Sequence, residues 1–253
     1  MPQPSISSPV NAPASAHAIL WGRALRVFAW LSFLAQTIII GTGGAVRLTG
    51  SGLGCSEWPL CTPESLVPIY ADQGIHGIIE FGNRVMTGVV GIIALAVLLL
   101  VLARVGGRLL VFSALRFAGA GILAAVITFV IVSLFSLPAT PFAMGALLIA
   151  VIAAMVRSFR LTTDRRDLVV LAWIVLLGVV AQALVGGITV LTGLNPFIVG
   201  FHYVSSLLLV CVTAAFLVRL YGQPGPRERA VPKWFAILSH VTGLALAVTI
   251  VFG

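Results

Sequence analysis

Residues 76–103 read His76-Gly-Ile-Ile-Glu80-Phe-Gly-Asn83-Arg84-Val-Met-Thr-Gly-Val-Val-Gly-Ile-Ile-Ala-Leu-Ala-Val-Leu-Leu-Leu-Val-Leu-Ala103. From Val85 onward this run carries no charge, and it matches the roughly 20 residues a helix needs to cross a bilayer. The apolar residues are continuous and not alternating, which favours a helix over a barrel strand.

Working outward, six more apolar segments can be drawn, at 27–46, 109–136, 141–156, 168–190, 198–218 and 234–252. Leu137-Pro138 and Pro141 make the third and fourth segments a tight hairpin. The fold class is therefore all-α, a polytopic transmembrane bundle of about seven helices. Composition agrees, since the 253 residues are 60% hydrophobic and 9% charged. A soluble domain carries roughly a quarter charged residues, so a water-soluble globule is excluded.

The net charge of +8 is not a nucleic-acid signature. All basic residues except Arg47 and Arg84 fall on one set of short loops, which the positive-inside rule assigns to the cytoplasm together with the N-terminus. The loop from about Leu48 to Gly74 is then extracellular. Five regions follow: a disordered cytoplasmic tail (1–22), a first helix pair with an extracellular cysteine loop (23–104), an apolar hairpin with its cytoplasmic loop (105–167), a second helix pair (168–220), and a loop with a last helix (221–253).

Polar residues stand out in such a chain. His76, Glu80, Asn83 and Arg84 fall within about 100° of helical arc and share one face. Ionisable groups in a membrane are costly and by default mark a functional site facing the bundle interior. The plainer reading is an interfacial cluster with an ordinary Glu80–Arg84 i, i+4 pair. Gly77 and Gly82 thin the same helix, leaving room for a flat ligand or a close helix neighbour.

His202 lies at similar depth on the sixth segment, after the turn signal Asn195-Pro196. A lone membrane histidine is often a hydrogen-bonded core residue. Two on separate helices suggest axial ligands, the usual role of imidazole toward heme iron. Cys55 and Cys61, on the oxidising side, are expected to form a disulfide, either a structural staple or a reducible electron carrier. Cys211 reads as a small core residue and His240 as structural or interfacial. No phosphate-binding loop, nucleophile elbow or Cys-x-x-Cys-His site is present.

The chain also echoes itself. Gly43-Gly44-Ala-Val-Arg47-Leu-Thr49-Gly50 and Gly186-Gly187-Ile-Thr-Val-Leu-Thr192-Gly193 share the pattern G-G-x-x-x-L-T-G at two outer helix ends. A duplicated bundle accounts for this better than chance.

These strings resemble a family. Gly41-Thr-Gly-Gly-Ala-Val-Arg47-Leu-Thr-Gly-Ser-Gly-Leu-Gly-Cys55, with Trp58-Pro59 and Cys61, is similar to the first helix and outer loop of bacterial heme A synthases, in an actinobacterial-like form. His76 to Arg84 resembles their second helix. Gln182 to Pro196, followed by His202, resembles their third and fourth helices.

The resemblance implies an oxidoreductase that converts heme O to heme A for terminal oxidase biogenesis, by oxidising a ring methyl to formyl. It implies two four-helix halves, each with a heme site, one for substrate and one for a heme b cofactor. It also gives the outer-loop cysteines a part in electron or heme handling. His202 takes the place of an axial ligand to iron and Glu80 that of the second-helix acid, a base beside the methyl group. Asn83 stands where many relatives have a histidine, so His76 is the candidate second ligand. Arg84 or Arg47 would pair with a propionate. Implied partners are heme O, heme O synthase, terminal oxidase assembly factors and the lipid bilayer, with a possible homo-oligomer and no nucleic acid.

Two departures are expected. Residues 108–160 read as an inserted apolar hairpin. Most of a second half, with the heme b site, would lie beyond Gly253. Two other functions compete: a non-catalytic heme-binding or assembly protein, and a small-molecule transporter built on a repeat.

Overall fold

A computed structural model describes residues 22–137, 139–222 and 230–252. The tail expected at 1–22 lies outside the described residues except for Gly22. Seven helices follow in order: α1 (Arg23–Leu48), α2 (Tyr70–Val105), α3 (Gly107–Leu134), α4 (Ala139–Leu161), α5 (Arg166–Leu191), α6 (Pro196–Tyr221) and α7 (Lys233–Phe252). Six of them are long and apolar enough to cross a membrane, and α7 is a shorter apolar helix among the described residues. The chain is a multi-pass α-helical membrane protein.

Local chemistry sets the helix ends. α6 starts where Asn195 accepts the Phe197 N–H on its side chain, with Pro196 at the first helical position. Proline belongs there because that N–H has no intrahelical partner. α2 begins six residues earlier than the sequence suggests, because Tyr70 to Gln73 form a turn ahead of a break at Gly74 (φ 57°, ψ −146°).

The echo is structural as well as sequential. At the end of α1, Ser51 N–H bonds Val46 O and Gly50 N–H bonds Arg47 O. At the end of α5, Leu194 N–H bonds Thr189 O and Gly193 N–H bonds Val190 O. Both are Schellman caps with a left-handed glycine, Gly50 (φ 65°) and Gly193 (φ 62°). Thr49 and Thr192 even return the same hydroxyl bond, to Ala45 O and Ile188 O.

α1, α2, α5 and α6 form a four-helix bundle, each packed on two of the others. Leu25, Leu98, Leu102, Leu168, Val169 and Leu220 make its core near the basic loops. Toward the outer side a second apolar cluster follows, with Ala35, Val90, Ala94, Val175 and Val179. α3 and α4 pair chiefly with each other, α3 also touching α2 and α4 touching α5. α7 lies against α6.

Candidate functional site

Above the second cluster the bundle opens into a cavity of about 610 Å³. This lies within the range of small-molecule and cofactor sites. Arg47, Trp58, Glu80, Asn83, Arg84 and His202 are among its lining residues. α1, α2, α5, α6 and the loop after α1 all contribute, and α3, α4 and α7 do not.

The loop forms the roof. Cys55 and Cys61 are joined by a disulfide and both are 0% exposed. Gly54 lies directly on the α2 backbone, where an added Cβ would come 2.7 Å from Gly77 N and collide with the His76 carbonyl. The Trp58 ring rests on Gly187 of α5 in the same manner. Gly52 faces Leu194, the residue after the second Schellman glycine.

Glu80 and Arg84 hold this roof from below. Glu80 is 5% exposed, and its Oε2 accepts the Cys55 N–H at 2.7 Å. Its other oxygen pairs with Arg84. Arg84 donates through Nη1 to Glu57 O (2.8 Å) and Leu60 O (2.9 Å), and through Nη2 to Cys55 O (2.9 Å). With its bonds to Glu80, every N–H of the guanidinium is engaged. The propionate role expected for Arg84 would compete with these bonds. The side chain of Arg47, exposed at the last turn of α1, has no hydrogen bond or ion pair among the described residues.

The two histidines fare differently. His202 lines the cavity beside Gly186, and its Nδ1 is buried with no hydrogen-bond partner among the described residues. The other ring nitrogen, Nε2, lies toward Gly186, has no hydrogen-bond partner among the described residues and is the one open to a ligand. His76 is exposed and is not among the lining residues. Its Nδ1 shares a 2.9 Å hydrogen bond with Ser51 Oγ, which belongs to the loop. Of the two expected iron ligands, His202 lines the cavity and His76 does not. His76 shares the helix face of Glu80 but sits one turn farther out, beside the docked loop.

Asn83 does line the cavity, and its Oδ1 accepts from Thr42 Oγ1 at 2.7 Å. Cys211 is exposed on α6, not in the core. His240 is exposed on α7, bonded to its own helix at Ala236 O.

Sequence reasoning missed several lining groups. Gln182 donates to Ser205 Oγ at 2.7 Å and accepts from Ser206 Oγ at 3.2 Å, which fixes it near His202. Gln36 is buried between apolar neighbours. Its signal was available, since it is a polar residue within the apolar run of α1.

A four-helix membrane bundle with a histidine-bearing outer cavity under a disulfide loop defines the class. Comparison with known proteins gives the family. A family model described as COX15-CtaA, cytochrome oxidase assembly protein, matches residues 26–136 and 141–253, and the chain belongs to that family. Among similar relatives, the heme A synthase of Exiguobacterium sibiricum is 36% identical over 88 residues, covering 34% of this chain and 29% of the relative. The heme A synthase of Halalkalibacterium halodurans is 36% identical over 70 residues, covering 27% of this chain and 22% of the relative. The heme A synthase of Geobacillus kaustophilus is 38% identical over 74 residues, covering 29% and 22%. The matched stretches thus span less than a third of these relatives. No solved structure matches the chain.

Proposed function

We propose that this chain acts as a heme A synthase-like oxidoreductase whose substrate, heme O, occupies the outer cavity. The observation that carries the reading is His202 on the wall of a cavity of about 610 Å³, with its Nε2 toward Gly186 and without a hydrogen-bond partner among the described residues. The donor set fits a heme. An imidazole is available for iron, Arg47 is available for a propionate carboxylate, and Gly43 and Gly186 leave the walls low.

In this reading His202 holds the iron. Arg47 sets the in-plane orientation of the ring through a propionate. Trp58 and Pro59 cover the cavity. Glu80 is the one carboxylate among the lining residues, so it is the group that could take a proton from the substrate methyl as it is oxidised to formyl. With water supplying the oxygen atom, conversion of CH3 to CHO releases four protons and four electrons, and the electrons pass to an external acceptor. Holding the roof and accepting a proton draw on the same carboxylate, and the first role is supported by its bonds to Cys55 and Arg84. The four-helix unit supplies one such site. A heme b cofactor would need a second one.

A non-catalytic heme-binding or assembly role is the second reading. It is favoured by the cavity's having His202 as its single lining histidine. The two separate on one experiment. The membrane protein is expressed with heme O available, and the extracted pigment is analysed for formyl heme. Formyl heme that vanishes in His202→Ala and persists in His76→Ala supports the enzyme. Bound heme O without formyl heme supports the second reading. Absence of any bound heme in the parent protein overturns both.

A further inference from the structure

We propose that a side branch of the cavity, ended by Gln36, is a subsite for a hydroxyl group carried on an alkyl substituent of the bound porphyrin. This rests on the heme reading above and adds to it the part of the molecule that recognises the substituent.

The branch has a volume of about 140 Å³. It shares Gly43, Arg47, Asn83, Thr87, Gln182 and His202 with the main cavity, so the two adjoin. Its walls are mostly apolar, from Ile39, Ile40, Val90, Val179 and Val199. Gln36 lines it, is 3% exposed, and its Nε2 has no hydrogen-bond partner among the described residues. Asn83, Thr87, Gln182 and Ser206 there are already engaged, whereas the side chains of Tyr203, Arg47 and His202 have no hydrogen-bond partner among the described residues. Gln182 is fixed by Ser205 and Ser206, and Asn83 accepts from Thr42. Gln36 Nε2 is occluded, so the amide atom that meets the apolar recess is Oε1, an acceptor with no hydrogen-bond partner among the described residues.

A group that satisfies both features is an alkyl chain bearing one hydroxyl donor. A carboxylate fits less well, because the free cation Arg47 lies at the cavity side of the branch and would hold it there. The volume accommodates the carbinol carbon and a few neighbours. An added Cβ at Gly43 or Gly44 meets nothing within 4 Å, so α1 leaves space for the chain to continue. Heme O carries such a group, a hydroxyalkyl chain on one pyrrole. That hydroxyl would donate to Gln36 Oε1 and fix which pyrrole edge enters the bundle.

The test uses tail-free probes on the full chain in detergent. Iron hematoporphyrin, with hydroxyethyl groups, is compared with mesoheme, which has ethyl groups in their place. The parent protein should bind the hydroxyethyl compound about tenfold more tightly, the scale of one buried hydrogen bond. Gln36→Met should abolish that preference while keeping mesoheme affinity and its absorption spectrum. Equal affinity of the parent for both probes overturns the subsite and leaves the heme reading standing. Equal weakening of both probes in Gln36→Met assigns Gln36 a structural role only and also overturns it. If the parent binds neither probe, the heme reading falls, and the subsite with it. Should Gln36→Met fail to fold, the preference of the parent decides alone.

Discussion

The Trp58 indole lies against the α-carbon of Gly187, so closely that a Cβ there would sit 2.6 Å from Cε2 and 2.8 Å from Cγ. Trp58 belongs to the loop and Gly187 to α5, so this contact closes the roof onto the second helix pair. Gly187→Ala is expected to push the ring away and open the cavity. Overpacking of this kind costs about 1–3 kcal/mol. Heme affinity in the purified protein should fall while the Cys55–Cys61 disulfide stays formed. Unchanged affinity in Gly187→Ala would show that the roof does not control access.

Glu80 and Arg84 form a half-buried pair that grips loop carbonyls and the Cys55 N–H. Removing one partner of a buried pair leaves an uncompensated charge, at about 3–5 kcal/mol. Glu80→Gln keeps the shape and should lower the thermal midpoint clearly. It should also speed reduction of the disulfide by a membrane-impermeant phosphine, because both cysteines lose their cover. If Glu80 serves only as a proton acceptor, catalysis is lost with neither change.

Arg47 is the cation left to meet a propionate. Arg47→Gln should weaken heme binding about tenfold, as one charge-assisted hydrogen bond is lost. The same substitution should leave the dimethyl ester of the porphyrin bound as before. Equal loss for acid and ester would place Arg47 outside the propionate contact.

The helices were legible because membrane spans announce themselves by continuous apolar length. The start of α6 was legible because Asn195-Pro196 is a local signal that needs no tertiary context. The cavity was partly legible. His202, Glu80, Asn83 and Arg47 do line it. Periodicity placed His76 on the face of Glu80 but could not show that Ser51 and Gly54 dock beside it. The grip of Arg84 was hidden for another reason, since its partners are backbone carbonyls, which leave no mark on residue identity. Gln36 is a weaker mark in the sequence because it is uncharged, although an amide in an apolar helix carries the same kind of signal as an ionisable group.

The hairpin of α3 and α4 has one last consequence, and it concerns parity. α2 ends at Val105 and α5 begins at Arg166 on the same side of the bundle, and the two helices pack directly. An even number of crossings lies between them, so the cysteine loop and His202 open toward the same face. A single extra helix would have put them on opposite sides of the bilayer. The four-helix unit can therefore gain or lose such a hairpin as a module without reorienting its cavity.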